Sequence, residues 1–184
     1  DKVDKISGVI ISNVVSEIEP IIGDMSKRHL GIDPLMISAK NVGIKIDYTN
    51  PNEIGADRLV NAIAAYEKCK GPVIVVDFGT ATTFDYVNDK GVFCGGIIAP
   101  GISISNDALH RRTSKLPKVG IARTQNIIGT STVGAMQSGV YHGYIGLISH
   151  LLKLMKDEIE TTPKIVATGG QAALIMEELG IEVD

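Results

Sequence analysis

The chain has no tryptophan, three phenylalanines and five tyrosines, so aromatic residues fill only 4% of its 184 positions. Few stacking rings, no basic stripe and a net charge of −3 with a pI near 5.8 argue against a nucleic-acid binder. Cysteine is scarce too. Cys69 and Cys94 belong to no Cys-x-x-Cys pair and read as reduced thiols, which suits a cytoplasmic protein. His29, His110, His142 and His150 show no zinc-type spacing. No run approaches the roughly 18 uncharged apolar residues of a membrane span, and no charged-then-apolar leader opens the chain. The expectation is a soluble protein that handles small ligands. It starts at Asp1 without a methionine and stops at Ile181-Glu182-Val183-Asp184, as though a strand were beginning, which predicts a fragment of a longer protein.

What the chain does have is apolar content. Hydrophobic residues make up 44% and mean hydropathy is +0.17, enough for one large or two small domains with a real core. Ile6 to Asn13 reads as a strand and Glu17 to Leu30 as a helix ending before Gly31. Short strands are predicted at 34–38 and 44–47. Asn50-Pro51-Asn52-Glu53 supplies a turn and an N-cap for a helix to Cys69, and Gly71-Pro72 breaks it. Strands at 73–77, 80–87 and 92–98, joined through Asn88-Asp89-Lys90-Gly91, predict an antiparallel meander. Helices at 102–113 and 133–157, a strand at 164–168, a helix at 171–178 and a last strand complete the order. Three strands, helix, strand, helix is a ribonuclease-H-like α/β arrangement. The predicted domains are 1–71 and 72–184.

Two stretches interrupt this apolar pattern with small, hydroxyl and acidic residues: Gly55-Ala56-Asp57-Arg58 and Asp77-Phe78-Gly79-Thr80-Ala81-Thr82-Thr83-Phe84-Asp85. The second leaves a strand, Val73-Ile74-Val75-Val76, that reads as buried on both faces, and then presents a carboxylate, a glycine and a threonine. That order suits a bound nucleotide and cation, because glycine admits close backbone approach and threonine offers a hydroxyl. A plain hairpin turn, with Asp77 and Thr80 bonding backbone groups, explains it equally. Asp57 shares a helix face with Val60, Asn61 and Ala64, and reads either as a general base or as a structural carboxylate, through an ion pair with Arg58 or with a basic group across the domain interface, or through the helix dipole. Gly95-Gly96 with Pro100-Gly101, and Gly169-Gly170 before a helix, suggest a ligand bed or plain turns. Thr132 reads as an N-cap or a substrate contact, Tyr48 as a pocket wall or a cover for a core edge, and Arg111, Arg112 and Lys115 as a basic patch, more often a solvated face than a phosphate clamp.

The runs from Asn50 to Ala62, Val75 to Thr83 and Gly95 to Gly101, with Leu116-Pro117, Thr132 to Gly139 and Ala167 to Gly170, resemble the type III pantothenate kinases in order and spacing. The resemblance covers nearly the whole chain. It implies the fold of the acetate kinase, sugar kinase, Hsp70 and actin superfamily: duplicated ribonuclease-H-like (actin-like ATPase) domains with ATP in the cleft, the first domain here incomplete at its N-terminus. It implies ATP-dependent phosphorylation of pantothenate, the first committed step to coenzyme A, with magnesium and a monovalent cation, potassium or ammonium. Asp57 would accept the proton of the pantothenate hydroxyl. Gly55, Ala56, Arg58 and Tyr48 would shape the acceptor site, with Thr132 reaching the neighbouring subunit's site in a homodimer. Asp77 would hold the monovalent cation, and Thr80 and Gly79, with Gly169 and Gly170, would lie against ATP. One departure stands out. The family's Asp-x-Gly-Asn-Thr-like loop on its first strand occurs nowhere in the chain, so a fragment inactive on its own is expected. Two other readings remain: a non-catalytic pantothenate- or nucleotide-binding regulator of the same family, and another small-molecule kinase of the superfamily.

Overall fold

The computed structural model describes residues 6–181. In chain order these form β1 (Ile10–Ile11), α1 (Glu19–Leu30), β2 (Leu35–Met36), β3 (Lys45–Ile46), a 3-10 turn at Pro51–Glu53, α2 (Ala56–Cys69), β4 (Val73–Phe78), β5 (Ala81–Val87), β6 (Val92–Pro100), α3 (Ile102–Arg112), α4 (Thr132–Glu158), β7 (Lys164–Gly169) and α5 (Ala172–Leu179). The predicted last strand begins at Ile181 and otherwise lies outside the described residues.

The centre is a five-stranded sheet in the order β3-β6-β5-β4-β7. β4, β5 and β6 form the expected antiparallel meander, β7 runs parallel to β4, and β3 runs parallel to β6. The meander follows from local chemistry. Asn88 accepts the N–H groups of Lys90 and Val92 through its side chain, and Gly91 takes φ 69°, which an L side chain rarely adopts.

Val73, Ile74, Val75 and Val76 are all buried, as four consecutive apolar residues on a strand covered on both faces must be. Ile74, Val76 and Phe78 face α4 and α5, where Tyr141, Ile148, Leu152, Ile175 and Met176 close the larger core. Val73 and Val75 face α2, joining Leu59, Ala62, Ala65, Val87 and Phe93 in the second. Burying a side chain such as Leu59 or Ile148 stabilises the fold by about 1.5–3 kcal/mol. Residues 45–69, assigned by sequence to the first half, add an edge strand and a covering helix to the sheet of the second, so packing runs continuously across residue 71.

Three expectations need correction. Of the strand predicted from Ile6 to Asn13, only Ile10 and Ile11 pair, with Leu35 and Met36. Asn13 bonds both the N–H and the carbonyl of Val15 through its side chain, and this local turn competes with the ladder. Asn50 does not cap α2: its amide donates to Glu53 Oε1 at 2.8 Å within the 3-10 turn, and α2 starts only after Gly55. Gly95-Gly96 is not a flexible turn ending the third strand, because it lies inside β6. The register steps from Tyr86↔Gly95 to Val87↔Phe93, leaving Cys94 as the extra residue of a bulge, with Gly95 at φ 108°. A Cβ on Gly96 would lie 1.8 Å from the Phe84 carbonyl oxygen, so close strand contact accounts for that glycine.

Candidate active site

α2 enters over the sheet with Gly55 at its N-cap and no side-chain cap. Asp57 therefore falls in the first turn, where the exposed N–H groups favour a carboxylate. Its Oδ1 accepts the Arg58 backbone N–H at 2.8 Å. A Cβ on Gly55 would stand 2.5 Å from that oxygen, so glycine leaves the carboxylate its place. Asp57 is solvent-exposed, and it does not pair with Arg58 as the structural alternative held.

Arg58 turns the other way, into the protein. Its Nε and Nη2 both donate to Asp85 Oδ1, at 2.9 and 2.5 Å, and its guanidinium lies 5.6 Å from the Phe93 ring centroid. Thr83 Oγ1 donates to Asp85 Oδ2 at 3.3 Å. Both charges are buried, so each requires the other. Burial pushes the Asp85 carboxyl above the ordinary range against the pull of Arg58 and Thr83, with the Asp57 charge adding to the rise. Burial works to lower Arg58, but Asp85 and the neighbouring Tyr48 outweigh it and hold the guanidinium above its ordinary value. Tyr48 packs on Phe93 with centroids 6.2 Å apart and also borders Gly95, so it does cover a core edge beside Arg58.

Asp77 ends β4 on the α2 side. Asn61, one helical turn after Asp57, donates its amide to Asp77 Oδ2 at 2.9 Å. Among the described residues, Oδ1 accepts no hydrogen bond. Burial pushes the Asp77 carboxyl up, the Asn61 bond opposes this, and the Asp57 charge adds to it. The Asp57 charge thus lies within electrostatic reach of both Asp77 and Asp85. In the plain-turn reading Asp77 bonds backbone; instead its partner is a side chain of α2.

The Gly79-Thr80 turn joins β4 to β5, with the Gly79 N–H on the Ala81 carbonyl at 3.1 Å and the Thr80 carbonyl accepting the Gly101 N–H at 3.1 Å. Both turn residues are exposed. β7 brings its end to the same place: Thr168 pairs with Asp77 and Gly169 with Phe78. Gly169 has φ 95°, and a Cβ there would lie 2.6 Å from the Phe78 carbonyl oxygen. Gly170 faces open space, and α5 starts two residues on without a side-chain cap. Thr132 is exposed at the start of α4. It is not the N-cap, because Ser131 accepts the Gly134 N–H through its hydroxyl at 3.1 Å. Ala56 is buried at the first turn of α2.

Sequence reasoning assigned no role to Asp85 or Asn61. Each had a signal: Asp85 stands between Phe84 and Tyr86 in a strand of largely apolar residues and so demands a cation, and Asn61 lies four residues after Asp57 on the same helix face.

These residues fit a nucleotide and a cation. Two glycine turns gather at the ends of β4 and β7, with Gly170 open to space, and among the described residues a half-buried carboxylate beside them has one oxygen uncommitted. Among the described residues no three His, Cys, Asp or Glu converge into a metal cage.

A parallel strand added beside an antiparallel meander, with acidic and glycine-rich ends collected under one helix, defines a mixed α/β domain consistent with the actin-like ATPases. The family model of the type III pantothenate kinases matches residues 1–154. A type III pantothenate kinase of Geobacter sulfurreducens is 50% identical over 176 residues, 95% of this chain and 69% of that protein. One of Halalkalibacterium halodurans is 46% identical over 174 residues, covering 94% and 68%. The chain belongs to the type III pantothenate kinase family. A crystal structure from Campylobacter jejuni, described as a conserved Baf family transcriptional activator, superposes with TM-score 0.59 over 96% of this chain and 75% of that one; at 18% identity it shows the fold alone.

Proposed function

We propose that this protein transfers the γ-phosphoryl group of ATP to the hydroxyl of pantothenate, giving 4'-phosphopantothenate, with Asp57 as proton acceptor and a potassium or ammonium ion at Asp77. The observation that carries the reading is the meeting, in a member of this family, of the first turn of α2 with the ends of β4 and β7 through the Asn61–Asp77 bond. Phosphoryl transfer asks a protein mainly to position groups and to offset charge. Asp57 is exposed and, among the described residues, held by one backbone N–H, which leaves its second oxygen to take the hydroxyl proton as the new bond to phosphorus forms. Gly55 keeps that carboxylate in place, Ala56 packs the turn beneath it, and Arg58 with Tyr48 forms the wall that meets the acid group of pantothenate. Gly79, Thr80, Gly169 and Gly170 lie against the ATP phosphates, where backbone N–H groups bind anions. Bound ATP and its magnesium supply the phosphoryl group, and the monovalent cation offsets phosphate charge.

The protein acts as a cytoplasmic homodimer in this reading, with Thr132 completing the partner's acceptor site. Exposed Ile127, Ile128 and Val133 beside Thr132 support a covered face there. The test is ADP release by the full-length protein with ATP, magnesium and pantothenate, in potassium and then in sodium buffer, alongside its mass in solution. Pantothenate-dependent release stimulated by potassium is expected. No release from a folded protein would favour the regulatory binding protein instead.

A further inference from the structure

We propose that Asp85 is a positioning residue for the acceptor site: it holds the Arg58 guanidinium so that its remaining donors meet the carboxylate of the acceptor substrate. The proposal rests on the reading of Arg58 as an acceptor-site residue and adds a residue that reading does not contain.

The geometry is specific. Arg58 is 7% exposed and Asp85 1%, so Asp85 has no water as an alternative partner and Arg58 has little. Both hydrogen bonds go to one oxygen, Oδ1, and use the Nε edge of the guanidinium. A guanidinium has five N–H donors, so three remain on Nη1 and Nη2; the Tyr48 side chain lies close enough to take one of them, and no other described residue does. Phe93 supports the guanidinium from 5.6 Å, and the Tyr48 side chain lies alongside. Asp85 is itself constrained, since Thr83 Oγ1 binds its other oxygen and β5 pairs on both sides. The result is a planar, anchored fork with donors left over beside Tyr48, the form of donor that recognises a carboxylate.

The same residue also touches the proton acceptor, for the Arg58 backbone N–H donates to Asp57 Oδ1. Asp85 thus sets the side chain of a residue whose main chain sets Asp57. The ion pair has no net charge, so the site selects by donor geometry rather than by attracting any anion.

The experiment is steady-state kinetics of the full-length protein and its Asp85→Asn variant, varying pantothenate and ATP separately. Asparagine keeps an oxygen for Arg58 but removes the charge that holds both donors. The KM for pantothenate should rise about tenfold or more, with kcat within about threefold and the KM for ATP unchanged. A pantothenate KM within about twofold of the parent would overturn the proposal, and so would parallel rises in both KM values, which a purely structural ion pair would produce. Should Asp85→Asn fail to fold, Thr83→Val removes only the hydroxyl on Oδ2 and should raise the pantothenate KM about two- to fourfold; an unchanged KM there refutes the idea. Arg58→Met separates the two layers. If it leaves the pantothenate KM unchanged, the Arg58 reading fails and this one with it; if it raises that KM while Asp85→Asn does not, only the role of Asp85 fails.

Discussion

Replacing Asp57 with asparagine isolates the proposed proton acceptor from the fold around it. The carboxylate is exposed and makes one hydrogen bond among the described residues, to the Arg58 N–H at 2.8 Å, which an asparagine Oδ1 accepts equally well. What the fold loses is the attraction between a first-turn charge and the α2 dipole, about 0.3–1 kcal/mol, so Tm should fall by no more than about 2–4 °C. Catalysis should lose much more. A positioned general base contributes about 10²- to 10⁴-fold, or about 2.7–5.4 kcal/mol of barrier, because the neutral amide cannot take the hydroxyl proton. The assay is ADP release at saturating ATP and pantothenate, paired with a thermal melt of the same sample. A kcat within about threefold of the parent refutes the assignment, since the proton would then have another acceptor. A melt depressed far beyond this bound would refute the structural half of the argument, that Asp57 stands apart from the core.

Two further outcomes follow from neighbouring residues. Asp77→Asn should abolish stimulation by potassium and raise the KM for ATP, and a variant still stimulated by potassium would remove Asp77 from the cation site. It should also change the pH dependence of stability. The folded carboxyl titrates above its unfolded value because of burial, so the native state binds more protons in that window and stability falls as pH rises through it. Without potassium, the variant should melt with the parent at acid pH and above it at neutral pH; a crossing in the other direction contradicts the sign. Gly169→Ala places a Cβ 2.6 Å from the Phe78 carbonyl oxygen at φ 95°, a backbone strain of about 1–3 kcal/mol. It should lower Tm and weaken ATP binding, whereas Gly170→Ala, which meets open space, should leave Tm unchanged. Equal melts for the two would dismiss the strain argument.

The residue order alone was enough to locate most of the elements and the two stretches that carry the site. Val73–Val76 had to be a covered strand, Asn88–Gly91 had to turn, and Gly31 had to end α1, because each depends on dihedral preference or on the period of apolar residues within one short window. Asp57 in the first turn of a helix and Asp77 at a strand end were visible for the same reason. Which group met which was not. Arg58 stands next to Asp57 in the chain yet binds Asp85, 27 residues away, because α2 lies across β5 with that side of the helix buried. Gly95 and Gly96 looked like a ligand bed, and the bulge opposite Tyr86 and Val87 gave them another purpose. Asn61 found Asp77 only once β4 was seated under the helix. Local preference acts over a few residues and is written in the order of side chains; the partner of a buried charge and the fit of a bulge depend on strand register and helix placement, which the whole packed core decides together.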